Sequence, residues 1–198
     1  MEIEGVTRVD LPTLFVIGKE GRGLAEEGPS WVPLLWDQMN THFDEVVELL
    51  AGQEMKDLQL WGLMSDGEQW LEPWQKEGRY LAGIQVPKEA EAPEGWVRWE
   101  LPPMSYLTIK ASAEKIEDAT NLMLGETFPL EKLELAGAIH EHYLPHFPEG
   151  EVELYFPFKA FIYANRFVIL CQINSKALAF STAFFVTRSV VAPSVFWT

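Results

Sequence analysis

Cysteine is almost missing from this sequence. Cys171 stands alone, so no internal disulfide is available and the chain suits a reducing compartment. Cations are scarce as well: 15 Lys and Arg face 30 Asp and Glu, a formal net charge of −15. That excludes nucleic acid as a partner, because gripping phosphates takes clustered Lys and Arg. It favours cationic ligands or basic partners through a weak, long-range field. The opening MEIEGVTRVD has no apolar core of the kind a secretory signal needs. In the apolar C-terminal stretch the longest uncharged run is 11 residues, Ala177 to Thr187, too short for a transmembrane helix. A cytoplasmic protein without membrane contact is expected. Gly18, Gly21 and Gly23 follow Gly-x-x-Gly-x-Gly, which is not the dinucleotide fingerprint, and no local motif for a Ser/His/Asp or Cys/His nucleophile is present.

What is abundant is apolar and aromatic. Of 198 residues 47% are hydrophobic, with 8 Trp, 12 Phe and 5 Tyr, enough to build one domain around a real core. Leu11 to Gly23 reads as a strand leaving through glycines. Apolar residues at Val32, Leu35, Trp36, Met39, Phe43, Val46, Val47 and Leu50 form one helical stripe, capped by Ser30 and closed by Gly52. Asp57 to Asp66 and Arg79 to Pro87 read as strands; Gly62 in the first marks a bulge or the close approach of another group. After the polar connector Lys88 to Gly95 the order repeats. A strand between Trp96 and Ala111 is broken at Pro102 and Pro103, and a helix capped by Ser112 ends at Gly125. Two strands follow, Ala138 to Leu144 and Glu151 to Lys159. Duplicated strand-helix-strand-strand units imply an α+β fold: an antiparallel sheet, two helices and a central ligand cleft.

The last strand, EVELYFPFK, alternates. Val152, Leu154, Phe156 and Phe158 face one way, Glu153, Tyr155 and Pro157 the other. An ionised carboxylate among interior residues is costly unless something pairs with it. Glu153 therefore either sits at a wet strand end or awaits a partner from outside. His140, His142 and His146 have metal-ligand spacing, but Pro145 interrupts them and no Cys lies near, so no metal and no cofactor is expected.

The order of these motifs resembles the GyrI-like (gyrase-inhibitor-like) small-molecule-binding domain, also the effector domain of multidrug-responsive bacterial regulators. The residues that carry the likeness are Gly18 and Gly21 to Gly23, Leu35–Trp36, WGL at 61–63 and YLAGIQV at 80–86. PEGWVRWELP at 93–102, Glu141-x-Tyr143 and ELYFPF at 153–158 complete it. The resemblance implies a ligand-binding domain over residues 1–159. It places at Glu153 the last-strand glutamate that, in multidrug-binding members, meets cationic planar ligands in an aromatic pocket. Candidate ring walls are Trp61, Trp99, Tyr106, Tyr143 and Tyr155, and the implied partner is a small organic compound, cationic or planar aromatic. A cation over such a ring gains roughly 0.5–2 kcal/mol. Such a buried, unpaired carboxylate would have a raised pKa that an arriving cation reverses.

The same family implies two alternatives. One is a hydrolase that opens cyclopropane rings of DNA-alkylating natural products, with Glu153 as catalytic general base. The other is a protein that contacts DNA gyrase. The DNA-binding part of the regulators is not in this sequence, so a free-standing binder with a role in drug or toxin resistance is expected. Residues 160–198 stand apart: no Asp or Glu occurs from Leu154 to Thr198, and the resemblance stops near Lys159. This apolar extension reads as extra strands on the domain, a flexible sticky tail or a sequence not native to the gene, the last two being favoured.

Overall fold

A computed structural model describes residues 5–50, 57–144 and 150–160. The strand-forming runs become β1 (Val6–Leu11), β2 (Leu14–Leu24), β3 (Leu60–Asp66), β4 (Glu77–Gln85), β5 (Val97–Leu101), β6 (Met104–Ser112), β7 (Leu133–Leu135), β8 (His140–Tyr143) and β9 (Glu151–Ala160). The helical runs become α1 (Gly28–Thr41), α2 (Asp44–Val47), α3 (Ile116–Leu122) and α4 (Phe128–Glu131). All pairings are antiparallel, in the order β1-β6-β9-β8-β3-β4-β2-β5, with β7 on β9. This is the expected α+β fold. Among the described residues no helix is long and apolar enough to cross a membrane.

The duplication is visible in the pairing. Prolines break the first strand of each half, Pro12 between β1 and β2, and Pro102–Pro103 between β5 and β6. Each broken strand then lends its front piece to the other half: β1 pairs β6, and β2 pairs β5. The halves meet at the β3–β8 ladder, where Trp61 lies opposite His142 between the pairs Leu60–Tyr143 and Gly62–Glu141.

Because side chains alternate along a strand, the sheet has two chemically different faces. Both helices pack on one. Val32, Leu35, Trp36 and Met39 of α1, with Ile116 and Ala119 of α3, join Ile84, Leu107, Leu154 and Phe156 in the main core. The helix-free face carries a second cluster of Leu14, Val16, Trp61, Leu63, Leu81, Trp99, Leu101, Tyr106 and Tyr155.

Two local expectations change and one open alternative is decided. The stripe from Val32 to Leu50 is not one helix. α1 already begins at Gly28, Ser30 sits inside it bonding back to the Glu27 carbonyl, and the helix stops at His42 before α2 resumes. The Thr41 hydroxyl donates to the Asp37 carbonyl there, a local bond that competes with helix continuation. Gly125 does not end the second helix: a π-helical turn, Met123–Thr127, carries the chain into α4. Gly62 marks a close approach rather than a bulge, since a Cβ there would lie 2.0 Å from the Tyr80 hydroxyl and 2.7 Å from Glu141 Oε2. Gly52, His146 and residues 161–198 lie outside the described residues.

Candidate functional site

The β8–β9 register decides which candidates meet. His140 lies opposite Tyr155 and His142 opposite Glu153, so Glu153, Tyr155 and both histidines share one face. The β6–β9 register adds Tyr106 and Thr108, opposite Pro157 and Tyr155. β3 brings Trp61 beside His142. The face is the helix-free one.

Five of the six candidate residues are on it: Glu153, Tyr155, Trp61, Trp99 and Tyr106. Tyr155 meets Trp61 edge-on at 5.0 Å and Tyr106 at 5.6 Å, and Trp61 donates its indole N–H to Gln85 Oε1. Burial pushes the Tyr106 phenol up to about 12, and burial with the Glu153 charge pushes Tyr155 up further, so both stay neutral. Trp99 stands toward the β2–β4–β5 side, where its indole N–H donates to Glu20 Oε2 at 2.7 Å. Arg79 reaches the same carboxylate at 2.9 Å and lies over the Trp70 and Trp99 rings. Burial would raise the pKa of Glu20; Arg79 and Trp99 overcome this and hold it below the ordinary carboxylate value. Sequence reading missed this clamp, because Glu20 and Arg79 are far apart in the chain and only the β2–β4 register joins them.

Tyr143 is the correction. It points to the helix face, where its hydroxyl donates to Glu141 Oε2 at 2.8 Å, beside the Tyr80 hydroxyl at 2.7 Å from the same oxygen. Trp36 crosses the Tyr143 ring edge-on at 4.8 Å and donates to the Tyr80 oxygen. Burial lifts Glu141 to about 6 against the pull of both phenols.

Glu153 also differs from expectation. It is not alone: Thr108 donates to Oε1 at 3.1 Å, Tyr155 donates to Oε2 at 3.1 Å, and His142 Nδ1 stands 3.7 Å from Oε2. The imidazole, followed by the two hydroxyls, holds the Glu153 pKa below the ordinary value, where an unpaired group would have gone up. Its side chain keeps 18% of its exposure. The site therefore presents an ionised carboxylate, not a proton-bearing one.

Among the described residues, no group of three or more His, Cys, Asp or Glu could hold a metal. His140 is buried and neutral, its pKa pressed down to about 3 by burial. Its Nδ1 accepts the Met64 backbone N–H, so the ring proton sits on Nε2. His142 stacks on Trp61 at 4.5 Å with 24° between the planes. The signal for both was the strand alternation itself, which sets them opposite Glu141.

The fold recurs in solved structures. An integron cassette protein from the mobile metagenome of Vibrio cholerae aligns with a TM-score of 0.52 at 16% identity, covering 79% of this chain and 97% of its own. The C-terminal domain of EcmrR gives 0.55 at 13%, covering 78% and 97%. SAV2435, solved bound to tetraphenylphosphonium, gives 0.57 at 11%, covering 80% and 94%. At these identities the likeness is one of fold. No curated protein matches the sequence. The family model that does match, over residues 6–159, is that of the GyrI-like small molecule binding domain.

Proposed function

Because the chain belongs to the GyrI-like small-molecule-binding family, we propose that its ligand is an amphipathic, cationic aromatic compound received on the helix-free face, with Glu153 as the recognition charge. One observation carries this reading: a carboxylate kept ionised and only partly exposed, among the rings of Tyr155, Tyr106 and Trp61. A charge in such surroundings attracts a cation more strongly than in water, and flat rings add dispersion and cation–π attraction. Trp61, Tyr106 and Tyr155 are the proposed walls, with Trp99 at the far side. A compound of this kind fits a role in resistance to drugs or toxins.

The lowered pKa favours the binding reading over the hydrolytic one. A general base works best with a pKa near the working pH. Glu153 is displaced the other way, which makes it a weak proton acceptor and a durable counter-charge.

Tetraphenylphosphonium, the ligand held by SAV2435, is the natural first probe. A ligand that binds only the folded state raises the melting temperature. Wild type should show this rise, and Glu153→Gln should lose it, with affinity falling roughly tenfold or more. Equal stabilisation of both proteins would remove Glu153 as the recognition charge.

A further inference from the structure

A planar cation at this site would need three things: the flat face of Trp61, the edge of Tyr155, and a positive centre near Glu153. One side chain of the protein already fills the place such a cation would take. The His142 ring is stacked on Trp61 at 4.5 Å, meets Tyr155 edge-on at 6.1 Å, and sets Nδ1 3.7 Å from Glu153 Oε2. We propose that His142 is an internal stand-in for the ligand, and that a ligand ring reaches Trp61 and Glu153 by displacing it. His142 is thereby the residue that sets the affinity and charge preference of the site. This rests on the reading of Glu153 given above.

A second observation indicates that the ring is loosely held. Its Nδ1 is buried yet has no hydrogen-bond partner among the described residues. At 3.7 Å from Oε2 it has approached the carboxylate without bonding to it. An unsatisfied buried nitrogen is a standing cost, recovered when the ring turns out to water. The carboxylate keeps Thr108 and Tyr155 when the imidazole leaves, so its orientation survives displacement. A ring locked by two good hydrogen bonds would be a wall; this one is a replaceable occupant.

The test uses two flat probes of one outline, N-methylacridinium, which carries a permanent charge, and acridine, which is neutral at pH 8. Each is titrated by fluorescence into the full chain. His142→Ala vacates the face of Trp61 and the place beside Glu153, so N-methylacridinium should bind roughly tenfold tighter, on the order of one stacking contact. Acridine should gain less, since it does not use the carboxylate. His142→Phe keeps a ring over Trp61, so N-methylacridinium should not gain there; a gain as large as that of the alanine variant would overturn the proposal. Should the alanine variant fail to fold, His142→Ser vacates the same space and is read in the same way. If vacating the position leaves N-methylacridinium binding unchanged or weaker, His142 is part of the wall and the proposal falls. Glu153→Gln separates the two ideas. A loss of N-methylacridinium in that variant, without a gain in His142→Ala, sinks only the stand-in. No loss in Glu153→Gln sinks the recognition charge itself.

Discussion

Gly62 stands where no side chain fits. The Tyr80 hydroxyl and Glu141 Oε2 occupy the place its Cβ would take, at 2.0 and 2.7 Å. Gly62→Ala would have to part a buried carboxylate from a phenol as well as overpack the strand. It should cost about 3 kcal/mol or more, read from urea unfolding. Glu141 itself makes a prediction with a definite sign. Its folded pKa is raised from 4.5 to about 6, so the folded state holds the proton more tightly than the unfolded one. Its contribution is therefore fully present below pH 4.5 and is lost as pH rises through about 6, a change on the order of 2 kcal/mol. Glu141→Gln, which cannot titrate, should gain that amount relative to wild type over the same interval; a flat difference between the two unfolding curves would contradict the assignment. Glu20, Asp66 and Glu153 run the other way, with pKa values lowered, so their contributions are present at neutral pH and fade in acid. Tyr143 could not be assigned to a face from sequence. The alternation within β8 was legible, but which of its faces matches that of Glu153 depends on the β8–β9 register, and the sequence between them has no signature that fixes it.

The loop between β3 and β4 is an element without regular structure, yet it is firmly held. Asp66 Oδ1 accepts the backbone N–H groups of Glu68 and Gln69 at 3.0 and 3.1 Å, and Oδ2 accepts that of Gln75 at 2.9 Å. Burial alone would raise the Asp66 pKa; these backbone donors overcome it. The bonds offset the cost of Leu71 in the left-handed region, at φ 62°. They also set Trp70 against Trp99 at 4.6 Å and Leu71 against the second cluster. Asp66→Ala should speed hydrogen exchange at the Glu68, Gln69 and Gln75 amides and lower stability by about 2 kcal/mol. It should also change the tryptophan emission as Trp70 leaves Trp99. Exchange at those amides no faster than in wild type would mean that the loop is held by its apolar contacts instead. The sequence of this stretch offers polar residues and two tryptophans and no sign of this order, because the order comes from one aspartate meeting three backbone groups. Most strands were legible almost to their ends, since alternation and flanking Pro and Gly mark them; β1 and the short β7 were not. The break of the first helix at His42 was not, because the apolar period runs on through it into α2.

At the scale of the molecule the duplication was the most legible feature, and the exchange of β1 and β5 between halves the least. Two prolines announce a broken strand, but nothing local says that its front piece crosses to the other half. That exchange bears on where the domain ends. Among the described residues every strand pairing lies within Val6–Ala160, and the family match closes at 159. The last strand, β9, is central: it pairs β6 and β8, and its end pairs β7. A cut before β9 would remove Glu153 together with the strand that joins β6 to β8, and should abolish folding. A cut after Asn165 leaves every one of those pairings intact. We propose that the shortened chain is a complete ligand-binding domain. It should melt within about 3 °C of the full chain, and tetraphenylphosphonium should raise both melting temperatures equally. The segment removed has no acidic residue and is rich in Phe, Val and Ala, a composition that drives association wherever it meets water. Light scattering on the shortened chain should accordingly fall below that of the full chain at equal concentration. A loss of the cooperative melt after the cut at Asn165 would mean instead that the apolar segment completes the core, and the domain boundary near 159 would have to move toward the C-terminus.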